Sequence, residues 1–491
     1  MLADERRCIP PHIALDFGNQ GLFGLLIEER YGGLALRMTD VARVLEQLAA
    51  IDLGLATWHL TSLFPGTRAL SVGAGEEFAA EWLPRLAEGR VLGAYAQTEP
   101  NAGSDFTGIS TLARPTRDGG WRLSGDKVWI GNGSWAGVVT VIAHLADAKG
   151  APVDIAAFGI PMSSTGARAG AEHLSMGLRG MVQSHLHFDD VAVGPHQLLD
   201  GGQGMRVALD SMTMGRFALA AASLGAMKRC LQLAHRFGSR RVISGRRLCD
   251  RAATLEALGE VAAHVQIGEA VVYGLADILD TGGAIELEQV VAAKVMMTEW
   301  LGHAADRLLQ LLGGRGFDEA NAASRLYRDV RVYRIFEGAT EALVDFLGAR
   351  ATMHPARIDR QLRSAGAPDV ADRLRDAVAE LGRRNVTQHG PDIDQDWRNA
   401  VAGTALMWAF AVTALRTRND RDTHAAVIAE HRFEQALSEV RSGGPREIAV
   451  ASPAELAMIV DGCTSRIGDI EETLPGPSTQ LDPLLRSHSS L

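Results

Sequence analysis

YAQTEPNAGSD, residues 95–105, is the stretch at which the chain changes from one structural pattern to another. Its proline, asparagine, glycine and serine predict a short polar turn. Gly103 would let the backbone approach a ligand closely, and Thr98 and Ser104 offer hydroxyl groups. An ordinary surface turn is the plainer interpretation of the same residues, and the stretch alone does not decide between the two.

The sequence before this turn is helical in pattern, and the sequence after it is rich in β-strand signals. TDVARVLEQLAAID (39–52) places apolar residues at helical spacing behind residues that cap helices. Later residues instead alternate turn signals with short β-prone runs. Three of these runs are VVTVIAHL (138–145), DIAAFGIP (154–161) and HLHFDDVAV (185–193). They predict a small, all-β, barrel-like domain.

Helical periodicity returns after the β-rich region and continues towards the C-terminus. Long helices near 203–237, 250–280 and 285–312 indicate a four-helix bundle. A further helical extension follows, interrupted at QHGPDID (388–394) and SGGPRE (442–447), with a linker-like tail at 474–491. The predicted fold class is α+β. The predicted domains are an N-terminal helical domain at 1–91, a middle β domain at 92–200, a C-terminal helical bundle at 201–350 and the helical extension at 351–491.

Composition argues against several classes of protein. The 491 residues are 46% hydrophobic and carry a formal net charge of −10 without a basic stripe, which argues against nucleic-acid binding. The start of the chain, MLADERRCIP, lacks the apolar core of a signal peptide. The longest uncharged run, 399–415, is slightly short for a membrane span, so we expect a buried helix and consider membrane insertion unfavourable. The four cysteines are Cys8, Cys230, Cys249 and Cys463, and their spacing is that of neither a metal site nor a redox motif. We therefore expect reduced thiols, no metal site and a cytoplasmic location.

RVYRIFEGATEAL, residues 331–343, places one carboxylate between an apolar stretch and a glycine. Glu337 has two interpretations. It can lie in or near the first turn of a helix, where the helix dipole favours an anion. Alternatively, it can act as a general base in a half-apolar pocket, where Phe336 raises its proton affinity by desolvation.

Several blocks of the sequence together resemble the acyl-CoA dehydrogenase family. The resemblance covers roughly residues 15–350, and the blocks follow the family's order and spacing. Relative to the family, the resemblance implies a shortened N-terminus and a helical extension at the C-terminus. Besides the turn at 95–105, the blocks are GDKVWIGNG (125–133), MGLRGMVQSHLHFDDVAVGP (176–195), GRFALAAASLGA (215–226), LLGGRGF (311–317) and RLYRDVRVYRIFEGATEAL (325–343).

The resemblance implies FAD-dependent α,β-dehydrogenation of an acyl thioester, carried by CoA or by an acyl carrier protein. In the family, the Glu of the EGT-like motif removes the α-proton while the β-hydrogen leaves as hydride to flavin N5, and Glu337 matches that Glu. The backbone N–H of that Glu and a flavin hydroxyl donate to the thioester carbonyl. Some members place the base before an Arg on the first bundle helix, but here Gly215 precedes Arg216 and cannot act as a base.

The resemblance also assigns ligand-binding positions. Arg241 matches the arginine that meets the flavin diphosphate of a neighbouring subunit, and Arg216 matches a position near the CoA moiety. Ser104 matches a position near both flavin and the pantetheine of the substrate. These assignments imply a homodimer or homotetramer. The full set of expected FAD positions is Tyr95, Thr98, Gly103, Ser104, Trp129, Gly131, Arg241, Gln310, Gly314 and Glu341.

The sequence departs from the family pattern at several cofactor positions. Gly131 stands where a Thr hydroxyl is usual, Ser244 replaces an aromatic residue, Ala252 replaces a Gln, and Ala339 replaces the Thr of the EGT motif. We expect an atypical but active member that passes electrons to an electron-transfer partner or to oxygen. Two rivals stay open: a flavin oxidase or monooxygenase of the same fold, and a non-catalytic acyl-binding or assembly protein that has lost its flavin.

Overall fold

The computed structural model describes residues 2–103, 108–147, 149–384, 390–418, 423–442 and 451–468. Helices occupy both ends of the chain, and a β-sheet lies between them. The helices are α1 (Leu2–Arg6), α2 (Pro11–Asn19), α3 (Met38–Ile51), α4 (Leu53–Thr61), α5 (Arg68–Gly73), α6 (Glu76–Ala87), α7 (Gly204–Arg240), α8 (Ala252–Asp280), α9 (Leu287–Leu312), α10 (Gly314–Phe317), α11 (Ala322–Val330), α12 (Thr340–Met353), α13 (Pro355–Ser364), α14 (Pro368–Arg383), α15 (Pro391–Thr417), α16 (His424–Ser442) and α17 (Pro453–Ile467).

The strands form one mixed sheet of seven members and a separate two-stranded hairpin. In the sheet the order is β1-β4-β2-β3-β7-β6, with β5 on the free side of β4; β1 and β2 run parallel to β4. The strands are β1 (Leu92–Ala96), β2 (Leu112–Pro115), β3 (Trp121–Gly131), β4 (Ala136–Ala146), β5 (Pro152–Pro161), β6 (Ala167–Glu172) and β7 (Gln183–Val193), and the hairpin is β8 (Val242–Ile243) with β9 (Arg246–Arg247). The three predicted β-runs lie inside β4, β5 and β7.

Strand β4 is apolar except at Thr140 and His144, because both of its faces are covered. Val139 and Val141 point into the core of the sheet, whereas Val138 and Ile142 pack in a second cluster with Phe78 of α6. Burial on both sides removes the polar alternation that marks a half-exposed strand.

The three long helices predicted for the bundle are confirmed as α7, α8 and α9. The middle of α7 is buried and built from small residues, so α3 can cross it closely. A Cβ at Gly225 would lie only 1.9 Å from the carbonyl oxygen of Glu46 on α3. The start of α3 is capped across the bundle, since the Asp280 carboxylate at the end of α8 accepts the backbone N–H groups of Met38 and Thr39.

The helical extension packs directly on the bundle. Helices α12 and α15 cross so closely that a Cβ at Gly348 would lie 1.8 Å from the Asn399 carbonyl oxygen, and one at Gly403 would lie 2.2 Å from that of Val344. Among the described residues, α15 is the one helix long and apolar enough to cross a membrane, but 67% of its most apolar window is buried within the fold. The predicted tail at 474–491 lies outside the described residues.

Candidate active site

Glu337 lies in a tight turn that precedes α12. The chain leaves a 3₁₀ turn (Arg331–Arg334), passes Glu337 with φ at 54° and Gly338 with φ at 102°, and begins α12 at Thr340. The acidic residue in the first turn of α12 is Glu341. Glu337 therefore lies two residues before the N-cap residue Ala339, near the first turn of α12 but outside it, in a left-handed conformation.

The left-handed conformation of Glu337 costs free energy, and two buried cations stabilise it. A non-glycine residue in this region costs about 1–3 kcal/mol. Arg216 Nε donates to the carbonyl oxygen of Glu337 (3.1 Å), and Lys294 Nζ donates to that of Gly338 (2.6 Å). Hydrogen bonds to charged groups contribute about 1.5–3 kcal/mol each, so the two together offset the strain.

The same cations set the electrostatics of the carboxylate. Burial raises the pKa of Glu337, while the charges of Arg216 and Lys294 act in the opposite direction and leave it raised. Burial lowers the pKa of Lys294 to about 8 although the charge of Glu337 opposes this. Glu337 therefore holds protons more tightly than a solvated carboxylate, as a base for a weak carbon acid requires.

Gly215 makes room for the Glu337 side chain. A Cβ at Gly215 on α7 would lie 3.4 Å from Oε2 of Glu337, 3.5 Å from Cδ and 3.6 Å from Oε1. Positions 215 and 337, the two at which the family is expected to place its base, are thus directly adjacent in space. Of these two positions, only Glu337 supplies a carboxylate in this chain.

The turn after β1 is fixed by a buried ion pair that we did not predict. Glu99 is buried with Lys127, whose Nζ lies 2.8 Å from Glu99 Oε1 and also donates to the carbonyl oxygens of Gln97 and Ile142. Burial opposes ionisation of Glu99, but the charge and hydrogen bond of Lys127, with the hydroxyls of Ser110 and Thr111, lower its pKa to about 2.

This ion pair holds two predicted FAD-contacting segments together. Thr98 lies on the turn beside Glu99, and its carbonyl oxygen accepts the backbone N–H of Val128, which precedes Trp129. Tyr95 at the end of β1 is close enough to Glu337 for the two to interact electrostatically, and burial, followed by the charge of Glu337, raises the pKa of the Tyr95 phenol. Gly103 is exposed at the end of the turn, and Ser104 lies outside the described residues.

Trp129 stands out from the sheet at an irregularity in β3. The pairing of β3 with β7 shifts register between Lys127 and Ile130, and Trp129 adopts a φ of 59° within this bulge. Trp129 is 56% exposed, and one face of its ring stacks on His173 with centroids 3.6 Å apart. Bulges commonly redirect a side chain next to a functional site, and here the bulge presents an aromatic face to solvent.

The missing side chain at Gly131 is explained by a neighbour. A Cβ there would lie 2.8 Å from Cγ2 of Thr61 on α4, so the space is taken. Thr57, one turn earlier on α4, has its hydroxyl 2.8 Å from that of Tyr333. Helix α4 therefore contacts both the strand that carries Trp129 and the segment that carries Glu337.

Three of the remaining predicted FAD residues lie in a separate, arginine-rich region at the far end of α7. Gln310, Gly314 and Arg241 are exposed there, whereas Glu341 is exposed on α12, close enough to Lys294 to act on it electrostatically. A pocket of about 460 Å³ joins the end of α7 to the segment after α9; its lining includes Arg236, Phe237, Arg240, Arg241, Leu312 and Arg315. At 1.5 Å per residue, Arg241 is about 39 Å along α7 from Gly215, so the structure does not bring this group to Glu337.

Sequence reasoning missed Lys294, Glu99 and Lys127. A signal for Lys294 was present, because it is the single charge in the apolar run VVAAKVMM (290–297) of α9. A cation within such an apolar run is tolerated only where it is buried against a specific partner. The Glu99–Lys127 pair joins residues that are distant in sequence, which a single chain's pattern does not reveal.

Comparison with known families agrees with this geometry. Three family models match: the acyl-CoA dehydrogenase N-terminal domain over residues 2–90, the middle domain over 94–191 and the C-terminal domain over 202–352. The chain belongs to the acyl-CoA dehydrogenase family. The predicted resemblance and the predicted architecture, including the additional C-terminal helices, are thereby confirmed.

Individual relatives place the chain within this family. The very long-chain specific acyl-CoA dehydrogenase of mouse is 32% identical over 342 residues, which are 68% of this chain and 52% of that protein. The chain thus spans about half the length of such curated relatives. Butyryl-CoA dehydrogenase from Megasphaera elsdenii has a TM-score of 0.66 at 27% identity, covering 70% of this chain and 90% of that one.

One solved structure also resembles the extension. An acyl-CoA dehydrogenase from Bacillus anthracis, complexed with FAD, has a TM-score of 0.77 at 23% identity and covers 92% of this chain and 84% of that one. At this identity the likeness concerns the fold. The matched part of this chain extends beyond residue 352, where the three family models end. The fold of the C-terminal extension is therefore shared with a solved acyl-CoA dehydrogenase.

Proposed function

We propose that this chain is an FAD-dependent acyl-thioester α,β-dehydrogenase in which Glu337 removes the α-proton. The observation that carries the proposal is the placement of Glu337: a partly buried carboxylate in a strained turn, supported by two cations and facing the space that Gly215 leaves. Strained backbone that persists in a well-packed fold is concentrated at functional sites.

The residues present fit FAD at both ends. Trp129 offers an exposed aromatic face for the isoalloxazine, and the backbone after β1 offers Thr98. The arginine-lined pocket that includes Arg241 suits a diphosphate, since guanidinium groups bind phosphate oxygens in pairs. Bound FAD supplies the acceptor for the hydride that leaves the β-carbon.

Residues of this chain carry the proton chemistry. Glu337 accepts the α-proton at a carboxylate oxygen, and its raised pKa increases the driving force for that transfer. Among the described residues, the backbone N–H of Glu337 has no acceptor, so it can donate to the thioester carbonyl oxygen as negative charge develops there. Base and donor then belong to the same residue, which fixes their relative position.

The separation of the two residue groups supports a homodimer or larger homo-oligomer. The distance of about 39 Å along α7 between Gly215 and Arg241 exceeds the length of an extended FAD molecule. Arg241, Gln310 and Gly314 therefore serve the FAD of a second copy. The substrate carrier is CoA or an acyl carrier protein, and the electron acceptor is a partner protein or oxygen.

The test compares wild type, Glu337→Gln and the control Glu77→Gln, an exposed carboxylate on α6. Each protein is purified, saturated with FAD and mixed anaerobically with a panel of acyl-CoA and acyl carrier protein thioesters. Flavin absorbance should bleach in wild type and control. In Glu337→Gln the rate should fall about 10²–10⁴-fold with FAD still bound, because Gln keeps the shape but cannot accept a proton.

Each alternative gives its own outcome in this experiment. Protein that stays colourless with excess FAD supports the acyl-binding rival and overturns the proposal. Stoichiometric oxygen consumption during turnover in air identifies an oxidase. A wild-type bleaching rate in Glu337→Gln removes Glu337 as the base.

A further inference from the structure

Helix α9 packs behind the Glu337 turn and binds it at three points. Lys294 Nζ donates to the Gly338 carbonyl oxygen at 2.6 Å. On the same helix, Glu299 accepts from Arg334 Nε at 2.6 Å and from the Thr340 hydroxyl at 2.7 Å. The segment is therefore fixed before, at and after the left-handed pair.

Lys294 is the unusual member of this set because its side chain has no exposure to solvent. A buried ammonium group is retained only where it has a specific partner. Its hydrogen bond goes to a backbone oxygen rather than to a carboxylate, while Glu337 is near enough to influence it electrostatically. The remaining charged groups around it are Arg216 of α7, Glu299 of its own helix and Glu341 of α12.

We propose that Lys294 is a positioning residue for the reaction: it locks the Glu337–Gly338 turn in its left-handed form and stabilises the ionised base through space. This inference rests on the proposed function. The first task follows from the geometry, because Nζ donates to the carbonyl oxygen of the residue directly after the base. That position also brings the ammonium charge near enough to act on the Glu337 carboxylate, which is the second task.

Comparison of Lys294→Met with Lys294→Gln separates the positioning task from the electrostatic task. Lys294→Met keeps the length but removes both the donor and the charge. Lys294→Gln keeps an N–H donor without the charge. Lys294→Arg keeps both and serves as the conservative rescue. Lys228→Met is the matched control, since this half-buried lysine of α7 pairs with Glu46 and Glu269 away from the Glu337 turn.

The first readout is hydrogen–deuterium exchange of the peptide covering 332–343, measured without substrate. Lys294→Met should exchange there at least about tenfold faster than wild type, because the turn opens locally. Lys294→Gln and Lys294→Arg should stay close to wild type, as should Lys228→Met.

The second readout is the pH profile of turnover. Lys294→Met should lower kcat about 10²-fold, the cost of a misplaced reacting group, with KM changed by less than about threefold. The acid limb of kcat should move to higher pH in Lys294→Met and in Lys294→Gln, because loss of a nearby cation favours protonated Glu337. Lys294→Arg should restore the wild-type limb.

Unchanged exchange at 332–343 in Lys294→Met overturns the positioning role, and an unchanged acid limb in Lys294→Gln overturns the electrostatic role. If Lys294→Met does not fold, Lys294→Gln and Lys294→Arg still decide the electrostatic role. Failure of the proposed function gives a different result, namely absence of turnover in the wild-type protein. In that case the hydrogen–deuterium exchange measurement still decides the positioning role of Lys294.

Discussion

Replacing Gly215 with alanine should make the protein more stable and its reaction more sensitive to acid. Gly215 lies inside α7, where glycine costs about 1 kcal/mol relative to alanine. The added methyl would meet the Glu337 carboxylate at 3.4–3.6 Å, an ordinary van der Waals contact that forces no displacement. The free energy of unfolding should therefore rise by about 1 kcal/mol, and the melting temperature of a chain this long by about 1 °C.

The chemical effect follows from the same contact. The methyl group excludes water from one side of a carboxylate whose pKa burial already raises. The acid limb of the kcat profile should move to higher pH, while activity well above that limb stays within about twofold of wild type. Gly274→Ala is the control, because this glycine of α8 has nothing within 4 Å of its added Cβ.

Calorimetric melting and the pH dependence of kcat test the two halves of this prediction. Both variants should gain stability, and only Gly215→Ala should change the acid limb. An acid limb identical to that of Gly274→Ala would show that the Glu337 carboxylate does not face Gly215 during turnover, and the proposed position of the base would then be wrong.

Two further predictions concern the groups around the cofactor. Glu99→Gln should lower the free energy of unfolding by about 3–5 kcal/mol near neutral pH, because it leaves Lys127 buried without its counter-ion. Since the pKa of Glu99 is lowered to about 2, the stability that wild type gains from the pair is present above the unfolded pKa near 4.5 and is lost between about pH 4.5 and 2. Urea titrations of the two proteins should therefore converge across that range, and a constant difference would refute the assignment. Arg241→Ala should weaken FAD binding measured by absorbance after gel filtration, whereas Arg383→Ala on α14 should not, and a monomeric wild type by light scattering that retains FAD would contradict the role of a second copy.

Local pattern was sufficient for the long bundle helices and for three of the strands. The three β-runs and the three long helices were predictable because each has an apolar period or a turn signal within its own sequence. Strand β4 and helix α7 show how packing determines the sequence at such positions: β4 is apolar on both faces, and α7 is small-residue-rich where α3 crosses at Gly225.

Long-range contacts determine what the sequence could not show. Nothing near Glu337 or Trp129 in sequence indicates a positive φ, which both adopt. The turn that carries Glu337 accepts a hydrogen bond from Lys294, 43 positions earlier, and Trp129 lies at a register shift against β7. The cap of α3 likewise comes from Asp280 at the other side of the bundle rather than from the cap residues beside it.

Three of the four departures from the family pattern lie apart from the contacts that hold the base, and the fourth, Ala339, directly follows the Glu337–Gly338 turn. Residues 131, 244 and 252 lack side chains expected to touch FAD, and each such loss removes about 1 kcal/mol of binding. The contacts that fix Glu337 come from Arg216 and Lys294 and are made entirely within the chain. The losses at residues 131, 244 and 252 therefore do not involve the residues that fix the base, so weaker retention of FAD caused by them does not imply a weaker base.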